Sequence, residues 1–400
     1  MSRAVDLPTF PFVASAEPED DAMGGRLLAT APITRARLAS GVEVWVALGH
    51  DVVRSVLTDT RFSRTASLDP AAPRVAPGLD IPDVLVTMDG AEHARVRKLL
   101  TKAFTPRMIE QLRPSIEATV EDLLDEVERH GPPIDLVEHF TMPLPVRTIC
   151  QLLGVPYEDQ ERFRDLSDRT RSSTAYSLEE VLTATFQLQQ YMRDLVAAKR
   201  EHPADDLTSE LATAADERGT LTEDQLVKNL LLVLIAGFDT TLNQLSNSVV
   251  ALLRRPAQFE QLRQEPGLVP GAVEELLRFL MLSPTGMLIR IATDDLDLGG
   301  ERIRAGEGVL ALANVANRDP AVFDDPEELD LTRVGASRHL SFGAGPHFCF
   351  GAQLARQELQ SAITGLLRRF PTLRAAGPLE DIPWKEGLLL RGPKSVLVEW

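Results

Sequence analysis

Residues 340–356 constrain this chain more than any other stretch. They read Leu-Ser-Phe-Gly-Ala-Gly-Pro-His-Phe-Cys-Phe-Gly-Ala-Gln-Leu-Ala-Arg. Gly343, Gly345, Gly351 and Pro346 crowd around Cys349, and a helical pattern follows over 352–370. The sulfur therefore sits in a tight loop that feeds a helix N-terminus. Unsatisfied N–H groups and the positive end of the helix dipole favour a thiolate there. The glycines permit turn angles that other residues resist, and let backbone come close to something flat and large.

A cysteine presented this way is a nucleophile or a metal ligand. A nucleophile wants a base, and His347 is two residues away, but nothing else in the loop resembles a triad. Structural zinc needs three more ligands, and the only other cysteine, Cys150, lies in the core-like run Ile149-Cys150-Gln151-Leu152-Leu153. One thiolate suffices for haem, because the porphyrin supplies four nitrogens. The loop closely resembles the haem-binding signature of the cytochrome P-450 family. That signature is Phe-Gly-x-Gly-x-His-x-Cys-x-Gly followed by Leu-Ala-Arg, and residues 342–356 match it throughout. The resemblance implies a mostly α fold with a small β portion. It also implies haem b with Cys349 as axial ligand to iron, and Phe342, Gly343, His347 and Gly351 around the cofactor.

The 400 residues could make two or three domains, but no linker or repeat divides them, so one domain over 1–400 is expected. The resemblance runs from about residue 40 to the end, and 1–40 reads as an irregular N-terminal segment. A net charge of −17 argues against nucleic acid and anionic membranes as partners. Two cysteines leave no disulfide framework, which fits a reducing cytoplasm. The N-terminus lacks an apolar signal core, and the longest wholly apolar run, 230–238, is far short of the ~20 residues of a membrane span. A cytoplasmic monomer of the bacterial type is expected. Such a protein takes electrons from NAD(P)H through a separate ferredoxin reductase and ferredoxin.

Residues 41–48 alternate like a half-buried strand, and 51–57 reads as a short helix capped by Asp51. The Pro- and Ala-rich stretch 65–86 reads as a long loop, which in the family covers the haem and shapes the pocket. In the helix that follows, His93 and Arg97 are four apart and share a face. Spacing alone suits a solvated face; the resemblance assigns both to the haem propionates, where an Arg fork matches a carboxylate. Helices are expected over 107–130 and 143–153. Two charged amphipathic helices, 158–172 and 178–200, read as surface helices, which the family uses as a lid.

The pattern over 221–255 is an unusually long helix, opened by a Thr222/Gln225 capping box and stopped by Pro256. Its middle, Ala236-Gly237-Phe238-Asp239-Thr240-Thr241, buries an acid and two hydroxyls, which is costly without a purpose. It matches the family's oxygen-activation motif, making Asp239 and Thr240 the candidate catalytic pair. Glu275 and Arg278, one turn apart, match the family's buried ion pair. Many relatives carry Arg and Phe where this chain has Glu328 and Leu329, which leaves the third member of that network open. Residues 283–290 read as a strand with Leu288 towards the pocket and Arg290 as a third propionate ligand. Residues 388–390 and 396–400 read as terminal strands, the first reaching the pocket.

The expected activity is that of a haem-thiolate monooxygenase, which activates O2 and hydroxylates or epoxidises a small to medium-sized, largely apolar substrate. Family habit points to a polyketide or terpenoid of secondary metabolism. Pocket walls are expected from Val86, Leu232, Ile235, Ala236, Leu288 and Leu389. Basic residues Lys98, Lys102, Arg107, Arg338 and Arg356 flank the cysteine loop as a docking patch for an acidic ferredoxin. Two alternatives stand beside this. One is a peroxide-driven or rearranging enzyme on the same fold, although such variants commonly lose the acid–alcohol pair. The other is a haem sensor, which would more naturally bring a signalling module.

Overall fold

The longest helix is set by its ends. Thr222 Oγ1 accepts from the Gln225 N–H while the Gln225 side chain accepts from the Thr222 N–H, and Pro256 opens the next helix. Between these points the computed structural model holds an unbroken α-helix of 31 residues, Glu223–Leu253, ~46 Å long at 1.5 Å per residue. The structure describes every residue except 1–6, 13–16, 20–21, 76–80, 157–158, 160–164, 167–168, 171–174 and 284–287.

In chain order the helices are α1 (Ala22–Leu28), α2 (His50–Thr58), α3 (Gly90–Leu100), α4 (Pro106–His130), α5 (Pro143–Leu153) and α6 (Leu178–Glu201). They continue with α7 (Leu207–Arg218), α8 (Glu223–Leu253), α9 (Pro256–Gln264), α10 (Val269–Phe279), α11 (Ala313–Ala316) and α12 (Ala352–Arg369). One apolar core joins α4, α5, α8, α10 and α12. Helix α8 is apolar and long enough to cross a membrane, but 67% of its most apolar window is buried among these neighbours, so it is a core helix.

The strands are short. β1 (Thr9–Phe10), β2 (Ile33–Leu38), β3 (Glu43–Ala47), β4 (Phe62–Ser63), β6 (Arg290–Ala292) and β9 (Gly308–Ala311) form one sheet in the order β1-β2-β3-β9-β6-β4. β5 (Ile134–Asp135), β10 (Arg374–Ala375) and β11 (Leu397–Glu399) form a second, and β7 (Leu296–Leu298) pairs with β8 (Glu301–Ile303). Along β3, Trp45 and Ala47 join one apolar cluster while Val44 and Val46 join another. The larger sheet is thus buried on both faces.

Several expectations change. The described part of 1–40 is not irregular: β1, α1 and β2 lie within it, and β2 pairs antiparallel with β3. Asp51 is not the cap of α2. The helix starts at His50, whose N–H donates to Asp319 Oδ2 at 2.8 Å, a contact 269 residues away in sequence. In 65–86 two short 3₁₀ turns, Thr65–Leu68 and Leu85–Thr87, bracket the loop. Of the two lid helices, α6 forms with a Ser177/Glu180 capping box, whereas most of 158–172 lies outside the described residues. The strand expected over 283–290 begins only at Arg290, and 284–287 are outside the described residues. Residues 388–390 form no strand; only Leu397–Glu399 does.

Candidate active site

The cysteine loop is fixed by backbone geometry. Gly345 has φ +68°, and a Cβ there would lie 2.9 Å from Leu57 O and Thr58 Cα, so the loop docks directly on the end of α2. The Cys349 N–H donates to Phe342 O at 2.9 Å, and α12 begins three residues after the sulfur. The thiol opens onto accessible space, while protein packs around its other sides. Burial pushes its pKa up, against the Gly351 N–H and the charges of Arg97 and Arg356, which pull it down. Loop and helix terminus alone therefore do not win the thiolate expected from sequence; coordination to a metal does so outright. Cys150 is buried, and burial, then the charge of Asp159, push it up to about 12, leaving it inert.

Beside the loop stands a group of basic side chains. Helix α3 places His93 and Arg97 on one face, and the His93 ring lies 4.3 Å from the His347 ring. Arg97 Nη2 donates to Phe348 O at 2.7 Å. Arg290, at the start of β6, donates to Phe62 O at 3.3 Å. The carboxylate in contact with this group is Asp89, 3.5 Å from His347 Nε2. Burial works to raise the Asp89 pKa, but hydrogen bonds from His347, Ser63 and Thr65 hold it well below the usual range. Burial, then the charges of His347 and Arg97, lower His93 to about 4, and its buried Nε2 has no hydrogen-bond partner. Burial, then repulsion from Arg64, lowers Arg290 to about 10. With His93 neutral, the guanidinium groups of Arg97, Arg290 and Arg64 still outnumber the Asp89 carboxylate among the described residues, and the orphaned His93 nitrogen lies beside them. A group carrying two carboxylates, as haem does, fits that excess.

Arg64 was not found from sequence. It is fully buried (0% exposed), and it donates from Nε to Val86 O at 3.0 Å and from Nη1 to Ile289 O. It ties the pocket loop to the segment carrying Leu288 and Arg290. Its only local signal is a charge directly after a two-residue strand.

Along α8, Leu232, Ile235, Ala236 and Thr240 are half-buried, whereas most of the helix beyond its first turn is enclosed. Their spacing of three, one and four residues puts them on one face, which therefore borders open space. Thr240 Oγ1 donates to Ala236 O at 2.7 Å, yet the helix continues unbroken. Asp239, one residue back, is buried. Gly237 serves packing: a Cβ there would lie 2.6 Å from Ile149 Cδ1 on α5. Val86 and Leu288 are also half-buried. Leu389 departs from expectation. At 1% exposure it is closed over by protein and borders no open space.

The network left open by the sequence is closed by Arg333. Arg278 forks onto Glu275 at 2.7 and 2.8 Å, and Arg333 Nε donates to Glu275 Oε1 at 3.0 Å. Arg278 also donates to the carbonyls of Asn317, Pro326 and Glu328, so Glu328 contributes only backbone. Of the docking candidates, Lys98, Lys102, Arg107 and Arg338 are exposed, with Lys102 3.8 Å from Glu210. Arg356 is withdrawn from the patch. It pairs with Glu274 at 2.6 Å and stacks 4.7 Å over the Phe342 ring.

A family model described as cytochrome P-450 matches residues 177–400. Nocardicin C N-oxygenase of Nocardia uniformis subsp. tsuyamanensis is 46% identical over 375 residues, 94% of each chain. Mycinamicin IV hydroxylase/epoxidase of Micromonospora griseorubida is 42% identical over 376 residues, again 94% of each. The crystal structure of HinD with NMFT and NO aligns at TM-score 0.95 and 40% identity, covering 99% of this chain and 100% of that one. The LnmA hydroxylase of Streptomyces atroolivaceus S-140 aligns at 0.90 and 44%, covering 98% and 100%. Fold and site together define a haem-thiolate oxygenase. The chain belongs to the cytochrome P-450 family: it is a monooxygenase, and its cofactor is haem b.

Proposed function

We propose that this chain, acting as one unit over 1–400, hydroxylates or epoxidises a small to medium-sized, largely apolar product of secondary metabolism, a polyketide or terpenoid. Relatives named for nocardicin C and mycinamicin IV support a secondary metabolite as substrate, and the hydroxylase/epoxidase name of the second supports the reaction. Electrons come from NAD(P)H through ferredoxin reductase and ferredoxin. The ferredoxin docks near the exposed Lys98, Lys102, Arg107 and Arg338, so reduction slows as salt screens the charges.

In this reading Cys349 would hold the haem iron through its sulfur, and Phe342, Gly343 and Gly351 would flank the group. His93, Arg97, Arg290 and His347 would hold the two propionates, whose charge would meet the excess of guanidinium there. Haem b, when bound, supplies the redox-active iron at which O2 is reduced. Val86, Leu232, Ile235, Ala236 and Leu288 form the apolar wall that orients the substrate and excludes water, with Leu389 packed behind rather than on the surface. Helix α6 serves as lid. Asp239 relays protons through its carboxylate, while Thr240, whose own proton is donated to Ala236 O, offers Oγ1 as a hydrogen-bond acceptor on the open side of α8.

The observation that carries the reading is Thr240: a half-buried hydroxyl on the open face of a core helix, next in sequence to a buried carboxylate. If the pair is only structural, Thr240→Ala costs about 1 kcal/mol of stability and leaves chemistry alone. We expect instead that Thr240→Ala binds substrate and consumes O2 and NAD(P)H with a surrogate ferredoxin system, but releases mostly hydrogen peroxide. Asp239→Asn slows turnover more than it diverts it. Full coupling of electrons to product in Thr240→Ala overturns the assignment.

A further inference from the structure

Below Asp239 the open face of α8 gives way to a buried polar ladder. Asn243 and Asn247 follow at one-turn spacing, 1% and 0% exposed. Asn243 Nδ2 donates to Asp239 Oδ1 at 2.9 Å and to the Asp239 carbonyl at 2.7 Å. Its other end has no polar partner: Asn243 Oδ1 is buried and unbonded. An amide left half-satisfied in a core is costly, and it can turn unless something holds it.

The holder comes from the far end of the chain. A Cβ built on Gly392 would lie 2.1 Å from Asn243 Oδ1, 2.9 Å from Cγ and 3.1 Å from Cβ. Gly392 does not have a positive φ, so its backbone could accept any residue; only the space taken by Asn243 requires glycine. The contact is itself anchored. Asn247 Nδ2 donates to Arg391 O at 3.1 Å, the Arg391 N–H donates to Leu282 O at 2.8 Å, and Arg391 Nη1 donates to Glu17 O at 2.7 Å.

We propose that Asn243 is a positioning residue for Asp239: the two Asp239 acceptors select its NH2 end, and Gly392, by lacking a side chain, leaves the space in which the amide is held. One carboxylate oxygen is thereby pinned, and the group is held in a single orientation for proton uptake. The inference rests on the reading of Asp239 given above. It adds a remote glycine, 153 residues along the chain, whose lack of a side chain is needed for the proton-handling geometry.

The test uses the haem-loaded enzyme with Asn243→Ala, Gly392→Ala, the double variant and, as control, Ser246→Ala. Ser246 is equally buried on α8 but pairs with Thr141 Oγ1 at 2.6 Å rather than with Asp239 or the Gly392 segment. We expect Asn243→Ala and Gly392→Ala each to lower kcat about tenfold, the worth of one hydrogen bond to a charged group. The solvent hydrogen isotope effect should rise, while KM and the substrate-induced spectral shift hold steady. The double variant should be no slower than Asn243→Ala, because both changes act through one amide. Ser246→Ala should lower the melting temperature without moving kcat or the isotope effect. Crystal structures of the single variants should show the Asp239 carboxylate turned from its parent orientation. Should Gly392→Ala fail to fold, Asn243→Ala and its structure decide alone. If Asp239→Asn slows turnover while Asn243→Ala does not, the positioning role is wrong and the reading of Asp239 stands. If Asp239→Asn itself changes nothing, both fall.

Discussion

Two clusters built around arginine end in opposite states in this protein. Glu275, Arg278 and Arg333 close on one another: Glu275 and Arg278 side chains are both 0% exposed, and each spare donor on Arg278 meets a carbonyl. His93, Arg97, Arg290 and His347 do not close: among the described residues Asp89 is the carboxylate that meets them, and His93 Nε2 has no hydrogen-bond partner. A charge whose partner comes from the chain contributes to folding. A charge left over contributes to holding something that is not an amino acid.

The contrast breaks most visibly at Arg278. Arg278→Ala strands the Glu275 carboxylate in the core, and we expect a loss of about 3–5 kcal/mol in urea unfolding. A loss below 1 kcal/mol would mean the network is not closed. Arg290→Gln should do the reverse. It removes one of several like charges, so the haem-free chain should keep its stability, while haem should leave about tenfold faster in transfer to a competing apoprotein. An Arg290→Gln chain as unstable as Arg278→Ala would erase the distinction.

Glu358 on α12 sharpens the comparison with a third solution. It is buried beside Thr148, one oxygen unbonded, and burial pushes it up to about 8 despite that hydrogen bond. It neither pairs nor waits; it stays protonated. The unfolded chain gives up this proton near 4.5, the folded one near 8. Between those values the unfolded state binds fewer protons, so this group's contribution falls as pH rises and levels off above 8. Melting at pH 5 and pH 8.5 should show Glu358→Gln gaining on the parent at the higher pH, and an unchanged difference refutes the protonated form. The smallest effect is expected from the exposed cations. Raising salt should slow reduction by ferredoxin severalfold without changing substrate binding.

What could be read from sequence was local. The cysteine loop is contiguous, both capping boxes lie within four residues, and α8 repeats one pattern for eight turns. What could not be read came from distance or brevity. Arg333 reaches Glu275 across 58 residues, and His50 finds its cap across 269. Strands of two or three residues, such as β4 and β6, are too short to show alternation. Leu389 looked like pocket because its run is apolar, but an apolar run does not say which side of a wall it occupies.

Arg64 has a consequence for anyone who would recombine this protein with its relatives. Its guanidinium holds the carbonyls of Val86 and Ile289 at once, so two walls of the pocket share one fastening. Transplanting residues 65–86 alone would bring a new wall to an old hinge-pin. Exchanged as a set with 288–290 and an arginine at 64, the same segments form a single cassette, and the unit of inheritance for pocket shape is that cassette rather than either loop.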